Sequence, residues 1–282
     1  MRKFKNMPVL VGIGQLTNRT KNPDSPGDPL KFMAECAKIA AEDASSPDIL
    51  REIDSLVIIR IMSREYSSEL KQFVEMLGAN PADFAYTPTG ATSPQVLTSR
   101  LCNRIANGKS EIGLVCGAEA FYSGGSPDWA KLTSPNYDNF PFPLVGDTMS
   151  HASDLERRYG LHVPSVVYPV FANAFRKSQG LGMDEYIIET GKLCAKLSEK
   201  TRTNEYAWFK EPKSASFIST VTPENRIICY PFTKYMNAIM NVDQAAVLLI
   251  MSEKKPTALG SRKRKEYIGS NGSSLIMLFH PG

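Results

Sequence analysis

Short apolar runs alternate with amphipathic segments along the first 120 residues. The apolar runs have the length and composition of buried strands and cover Val9–Ile13, Asp54–Ile61 and Ile112–Cys116. Between them lie segments with apolar residues at helical spacing, one opening at Asp28-Pro29 and one covering Glu69–Leu77. Strands that alternate with helices predict an α/β fold, with a parallel sheet that helices cover on both faces.

The third amphipathic segment carries the most complete set of helix signals. Ser93 is predicted to be its N-cap, and Pro94 fits the first helical position because its missing N–H costs nothing there. Apolar residues recur every fourth position, and Gly108 is predicted to end the helix; they are Leu97, Leu101 and Ile105. The strand after it is predicted to end at Gly117-Ala118-Glu119. Since a helix N-terminus favours negative charge, the turn before Ser93 is a candidate site for reactive groups.

The glycines near the N-terminus allow two interpretations. Gly12-Ile13-Gly14 follows an apolar run, as a dinucleotide-binding fingerprint would, but Thr17 stands where that motif needs its third glycine. The polar stretch that follows also predicts a loop where the motif needs a helix. We therefore predict a strand that ends in a glycine turn.

The pattern changes after residue 120. Residues 121–145 are rich in proline, glycine and aromatic residues, which is typical of an irregular surface segment. Asp147–Gly160 and Asp184–Thr203 have helical character, and Asn204–Asn225 is irregular again. Asp243–Ser252 is an apolar run that predicts a buried strand returning to the sheet.

Charge and composition argue for a globular protein that does not bind nucleic acid. Of the 282 residues, 42% are hydrophobic and 22% charged, which is ordinary for such a protein. The net charge of +4 comes from 33 basic and 29 acidic residues, a balance too even to indicate a nucleic-acid partner. Part of the excess lies in Arg262-Lys263-Arg264-Lys265, which suits a solvated tail.

Cysteine and histidine usage predicts a reducing, intracellular compartment and no metal. The five cysteines are odd in number and lack C-x-x-C spacing, and the three histidines are not paired at metal-ligand spacing. No apolar run approaches the roughly 18 residues that span a membrane, and the N-terminus leads directly into the first strand. We therefore expect no membrane span and no cleaved signal, and cytoplasm is the expected location.

The segment Ile105–Glu119 resembles the nucleophile helix and following strand of thiolases, which make or cleave 3-ketoacyl-CoA through an acyl-cysteine. Counted back from Glu119 without gaps, the position of the family's nucleophilic cysteine falls on Ala91. A methyl group cannot form a thioester. The closest similarity is to the sterol-carrier-protein-type, thiolase-like branch, whose small-residue turn matches Gly90–Gln95.

Further segments extend the resemblance over roughly residues 8–260. Met149–Ala152 resembles a loop-domain segment that lies near the acyl-CoA, and Asn237–Ala246 resembles the re-entry to the core, with Gln244 in place of a glycine. The resemblance implies an α/β fold with a mixed sheet layered with helices and an inserted, mostly helical loop domain. The implied divisions are a core over 1–119, a loop domain over 120–235, a return helix and strand over 236–260 and a basic, flexible tail over 261–282.

A thiolase has two similar halves, and this chain resembles only the first half with the loop domain. The second half carries the activating histidine and a cysteine that acts as acid and base, and we expect neither to have a counterpart here. His280-Pro281-Gly282 is similar to the family's Gly-His-Pro motif by coincidence.

Several side chains are candidates for the missing chemistry, each beside a simpler interpretation. Ser93 or Thr92 could act as nucleophile if a base lay nearby, but an N-cap hydroxyl is the simpler role for Ser93. Cys116 could be reactive, yet a strand cysteine is usually buried and inert, and Cys102 meets the same objection. The predicted substrate-binding residues are Gly90, Ser93, Met149 and His151. The segment Trp208-Phe209-Lys210 suits either an aromatic and basic ligand patch or loop packing.

Two functions follow as expectations from the resemblance. One is an acyltransferase acting on acyl-CoA thioesters, impaired because Ala91 occupies the nucleophile position. The other is a non-catalytic protein that binds acyl-CoA or lipid, or a subunit of a thiolase-like complex; a marginally folded fragment is a third interpretation. Either needs no bound cofactor beyond the coenzyme A thioester itself. The resemblance also implies a homodimer or hetero-oligomer, formed through the strand after the nucleophile helix.

Overall fold

The computed structural model describes residues 6–22, 24, 26–66, 70–125, 143–146, 152–255, 269–270 and 274–275. The chain divides into two units. The first comprises Met1–Asp128, Asn136–Thr148 and Asn241–Gly282, and the second Trp129–Pro135 and Met149–Met240. The four-part division inferred from the sequence remains a prediction.

The elements follow one another in the order strand, helix, strand through the first unit. The strands are β1 (Pro8–Asn18), β2 (Ser55–Ile58), β3 (Asp83–Tyr86), β4 (Ile112–Ala120), β5 (Ile227–Cys229), β6 (Phe232–Thr233), β7 (Asp243–Ser252), β8 (Gly269–Ser270) and β9 (Ser274–Leu275). The α-helices are α1 (Pro29–Asp43), α2 (Leu70–Leu77), α3 (Ser93–Ala106), α4 (Asp154–Arg158), α5 (Pro164–Ser178), α6 (Met183–Ser198) and α7 (Ala215–Ser219). Three 3₁₀ turns cover Pro47–Glu52, Glu199–Arg202 and Lys234–Met236.

The first unit is built on a mixed sheet of five strands in the order β1-β7-β4-β2-β3. Strands β2, β3 and β4 are parallel, whereas β7 runs antiparallel to both β4 and β1. The mixed sheet implied by the resemblance is confirmed, and the purely parallel sheet is wrong. The antiparallel part of the sheet is due to β7, which follows the second unit along the chain and lies between β1 and β4.

Helices cover both faces of this sheet, as the alternation predicted. Helices α1 and α2 pack in one hydrophobic cluster with side chains such as Leu114 and Cys116 of β4. Helix α3 packs in a second cluster, with Val115 of β4 and Val57 of β2. Successive strand residues alternate between the two clusters because side chains along a strand point to opposite faces.

Helix α1 approaches strand β1 so closely that two strand positions have no room for a side chain. A Cβ atom on Gly12 would lie 2.0 Å from the carbonyl oxygen of Ala40, and one on Gly14 would lie 1.9 Å from that of Cys36. Strand β1 continues through both glycines to Asn18, paired with β7. The predicted glycine turn is therefore wrong; the glycines permit helix–strand contact instead.

Most predicted elements of the first unit are present, with altered ends. Strand β7 has the predicted limits, and the side chain of Asp28 caps α1 by accepting from the N–H of Leu30. Strand β4 does not end at residues 117–119 but includes them. Strand β3 was not predicted, because four residues between Pro81 and Thr87 are too short to show a pattern.

The second unit contains α4 to α7 and the β5–β6 hairpin. Helix α6 confirms the prediction over Asp184–Thr203, whereas only Asp154–Arg158 of the predicted Asp147–Gly160 helix is helical among the described residues. Helix α5 was missed because Pro169 lies inside it, and proline normally ends a helix pattern. Asn173 Nδ2 donates to the carbonyl oxygen of Pro169 at 2.9 Å within the same helix.

Candidate functional site

Three loops meet at one edge of the sheet. Because β2, β3 and β4 are parallel, the segments that follow them leave from the same edge. Ligands of open α/β sheets bind at this carboxyl edge, at the point where the strand order reverses. In this sheet that point is at β2, because β3 lies on one side of β2 and β4 on the other. We call residues 60–66, after β2, the strap and residues 87–92, before α3, the turn.

The turn places its small residues in the open at the start of α3. Ala91 and Thr92 are exposed, and Ser93 is half-buried. A Cβ atom on Gly90 would lie 2.8 Å from Ser93 Oγ, so this position accommodates a side chain only if Ser93 moves. Gly90, Ala91, Thr92 and Ser93, which the sequence singled out, are consecutive residues that lead into α3.

Ser93 is not the N-cap that the sequence predicted. The cap is Thr92, whose backbone is in the helical region and whose side chain makes no capping hydrogen bond. Ser93 is already helical, and its N–H donates to the carbonyl oxygen of Gly90 at 3.1 Å. The tight turn from Gly90 closes one residue earlier than the pattern suggested, so the Ser93 hydroxyl does not serve as an N-cap.

The strap is bound to β4 through Glu119. The carboxylate of Glu119 accepts the N–H of Met62 at 2.8 Å and the N–H of Ser63 at 2.7 Å. In return, Ser63 Oγ accepts the N–H of Ala120 at 2.8 Å. Burial raises the pKa of Glu119 above its usual value, and the hydrogen bonds from Ser63 and Met62 and the charge of Arg60 only partly oppose that rise.

The raised pKa of Glu119 predicts an unusual pH dependence of stability. The folded state holds the proton of Glu119 more tightly than the unfolded state does. The stability that this protonation contributes is therefore complete at pH values below the ordinary pKa of 4.5, and it is lost as the pH rises through the raised pKa. We expect the free energy of unfolding of the wild type to fall relative to that of Glu119→Gln as pH rises from about 4 to about 7. Denaturant unfolding at several pH values measures this difference.

Glu156→Gln is the matched control for this experiment, because its trend has the opposite sign. Hydrogen bonds from the backbone N–H and hydroxyl of Ser153 lower the pKa of Glu156. The wild type should therefore gain stability relative to Glu156→Gln as pH rises. A Glu119→Gln difference that rises in the same way would show that the hydrogen bonds to Glu119 outweigh the cost of burying its carboxylate.

The buried cysteines do not supply a nucleophile to the turn. Cys116 is 1% exposed and packs on the face covered by α1 and α2, whereas α3 lies on the other face. Burial raises the pKa of the Cys116 thiol well above its usual range, and raises that of Cys102 to about 11. Both thiols are therefore protonated at neutral pH, as the simpler interpretation expected.

Asp243 holds the loop after β4. It is fully buried, and its carboxylate accepts the N–H of Tyr122 at 2.8 Å, the N–H of Ser123 at 3.1 Å and Nδ2 of Asn18 at 2.9 Å. The hydroxyl of Ser123 donates to the same carboxylate and accepts the N–H of Gly27. These contacts join segments that are far apart in the sequence, which is why pattern analysis missed them.

Two predicted ligand-binding residues, Met149 and His151, lie outside the described residues. The segment Trp208-Phe209-Lys210 lies within them and packs locally: the ring of Phe209 is 5.5 Å from that of Tyr235, and Lys210 Nζ donates to the carbonyl oxygen of Glu205. These contacts favour the loop-packing interpretation over the ligand patch.

Metal sites and membrane spans were sought in the described residues. No group of three or more His, Cys, Asp or Glu side chains there is arranged to hold a metal ion. Nor does any helix of that part combine the length and apolar character needed to cross a membrane.

Solved structures of known proteins share this fold. A monomeric SCP2-thiolase-like protein type 1 from Mycobacterium smegmatis matches with 27% identity and a TM-score of 0.66, over 87% of this chain and 45% of that one. The Ltp2–ChsH2(DUF35) aldolase matches with 15% identity and a TM-score of 0.64, over 93% of this chain and 59% of that one. Acetyl-CoA acetyltransferase from Syntrophomonas wolfei matches with 18% identity and a TM-score of 0.51, over 88% and 65%.

The chain spans between 45% and 65% of the length of these three proteins. No protein-family model matches it, and no curated protein matches it by sequence. The similarity to the last two structures concerns the fold alone, whereas the first extends to sequence over most of this chain. The chain therefore has a thiolase-like fold. The 27% identity to the first structure supports a relationship to the thiolase-like superfamily.

Proposed function

We propose that this chain is an acyl-CoA-binding part of a thiolase-like protein, and that it forms no acyl-enzyme at the turn. The observation that carries the proposal is the thiolase-like fold with its α3 N-terminus open at the carboxyl edge of the sheet. Two small residues of the turn, Ala91 and Thr92, are exposed there. The first turn of a helix also favours an oxygen that carries partial negative charge.

The side chains around the turn support binding more than covalent catalysis. Acyl transfer requires an activated nucleophile, and Ala91 provides only a methyl group. Ser93 and Thr92 carry hydroxyls, but a hydroxyl needs an adjacent general base. An acyltransferase with Ser93 or Thr92 as nucleophile is the alternative that the experiment below separates.

Oligomeric assembly is part of the proposal, but not through strand β4. That strand is paired on both sides, with β2 and β7, so neither of its edges can join a second chain. The edge strands of this sheet are β1 and β3. A homodimer or a complex with a related subunit would therefore use another surface of the first unit, or the second unit.

Thermal unfolding with and without acetyl-CoA and longer acyl-CoAs tests the proposal. A ligand at about 100 times its Kd stabilises the folded state by roughly 2.7 kcal/mol if it binds only that state, and we expect Tm to rise accordingly. Coenzyme A without an acyl group is the control for the contribution of the thioester. A cooperative transition that no acyl-CoA shifts would refute the proposal.

Intact-mass spectrometry after incubation with acetyl-CoA separates binding from acyl transfer. We expect the mass of the protein to stay unchanged. An added acetyl group on Ser93 or Thr92 would establish the acyltransferase alternative.

A further inference from the structure

Among the described residues, Arg60 joins the strap to the turn through both its backbone and its side chain. Its backbone N–H donates to Thr87 Oγ1 at 2.9 Å, and its guanidinium Nη1 donates to Thr89 Oγ1 at 2.7 Å. Thr87 is fully buried, and Arg60 is half-buried. Two threonines of the turn are therefore held by a single residue of the preceding loop, 27 and 29 positions away in the sequence.

The strap is itself fixed, so it can serve as an anchor. Glu119 binds the N–H groups of Met62 and Ser63, as described above. At the far end, the hydroxyl of Tyr66 donates to Asp28 at 2.6 Å, and Asp28 also caps α1. The strap thus connects β4 and α1 to the turn by hydrogen bonds to buried or half-buried partners.

The turn needs such an external support because its own cap is weak. Thr92 makes no side-chain capping bond, although capping side chains are what normally fix the entry of a helix. The bond from Arg60 to Thr89 acts on the residue that precedes Gly90. It consequently restrains the segment that presents the exposed N-terminus of α3.

We infer that Arg60 is a positioning residue: its guanidinium, through Thr89, fixes the turn in the conformation that receives the acyl thioester. This inference rests on the proposed function for the identity of the ligand, but the restraint itself is a property of the free protein. Because the backbone bond to Thr87 survives a change of side chain, loss of the guanidinium should loosen the turn without unfolding the sheet. The guanidinium acts on Thr89 through a directed hydrogen bond, so a lysine should replace it in part.

Hydrogen exchange of the ligand-free protein measures the restraint directly. We expect Arg60→Gln and Thr89→Val each to accelerate amide exchange in residues 87–93 about tenfold, while exchange in β4 and β7 stays unchanged. The effect of the double variant should be smaller than the combined effects of the two single variants, because both remove the bond from Arg60 Nη1 to Thr89 Oγ1. Arg60→Lys should recover part of the protection.

Arg64→Gln is the matched control on the strap. Arg64 is an exposed arginine whose guanidinium lies 3.6 Å from the Asp28 carboxylate, not at the turn. Exchange in residues 87–93 should not change in this variant. The inference is overturned if Arg60→Gln and Arg64→Gln give the same exchange, or if the effects of Arg60→Gln and Thr89→Val add.

The affinity for acetyl-CoA, measured on the same variants, separates this inference from the proposed function. We expect Kd to rise about tenfold in Arg60→Gln and Thr89→Val and to stay unchanged in Arg64→Gln. If the wild type binds no acyl-CoA but the exchange pattern holds, the proposed function fails and the role of Arg60 in fixing the turn stands. If acyl-CoA binds equally well to all variants while exchange changes, the turn does not receive the ligand and the inference fails.

Discussion

Gly14→Ala is expected to destabilise the protein by about 3 kcal/mol or more, a large share of the roughly 5–15 kcal/mol by which native proteins are stable. The added methyl group would lie 1.9 Å from the carbonyl oxygen of Cys36, well inside van der Waals contact. That oxygen belongs to the backbone of α1, so relief requires the whole helix to move away from β1. The movement would open the larger of the two hydrophobic clusters, in which Cys36 and Ala40 are fully buried. Gly12→Ala should act in the same way, since its methyl group would lie 2.0 Å from the carbonyl oxygen of Ala40.

Denaturant unfolding monitored by circular dichroism measures this effect. Gly182→Ala is the matched control, because Gly182 has no atom within 4 Å of its Cβ position and does not have a positive φ. It precedes α6 as the N-cap, where the same substitution should cost less than about 1 kcal/mol. Equal stability of the Gly14→Ala and Gly182→Ala variants would show that α1 does not lie against β1 as described.

Asp243→Ala is expected to cost about 3–5 kcal/mol, because it removes the acceptor of several buried or half-buried donors at once. The variant would leave the N–H groups of Tyr122 and Ser123 and the amide of Asn18 without the acceptor they share. Asp243 is fully buried, so water cannot readily replace the carboxylate. The loop after β4 should lose its fixed position, and the start of β7 should fray.

Asp243→Asn should fall between the wild type and Asp243→Ala. It keeps one acceptor oxygen but turns an amide NH₂ toward groups that also donate. Asp184→Ala is the control for removing an exposed aspartate, here in the first turn of α6, and should cost no more than about 1 kcal/mol. If Asp243→Ala were as stable as Asp184→Ala, the network at the start of β7 would contribute nothing to folding.

The regular elements could be predicted from the sequence where their signals are local. The cap at Asp28, the apolar run of β7 and the spacing of α6 each lie within a few neighbouring residues, and the structure has all three. Helix α5 was not predicted because Pro169 lies inside it, and β3 was not predicted because it is too short to show the alternation of a strand. Local patterns thus succeeded where a segment contains its own signal, and failed where tertiary packing overrides it.

The candidate site was predictable only in part. The sequence singled out Gly90, Ala91 and Ser93, and the structure places them together at the start of α3. It gave no indication of Arg60 or of the role of Glu119, which bind loop residues 27 to 57 positions away. Such contacts form only between loops that lie at the same edge of the sheet, and the residues next to Arg60 or Glu119 in the sequence do not show which loops those are.

The sequence by itself determined those strands and helices that carry a local signal, such as α1, α6 and β7, and that a methyl group stands where the resemblance to thiolases places the nucleophile. Tertiary structure alone decided that Gly12 and Gly14 admit a helix, and that Cys116 faces away from α3. It also decided that the strap holds the turn. The physical reason is the range of the interactions: capping and periodicity act between neighbours, whereas steric exclusion, burial and loop-to-loop hydrogen bonds act only once the sheet has brought distant segments together.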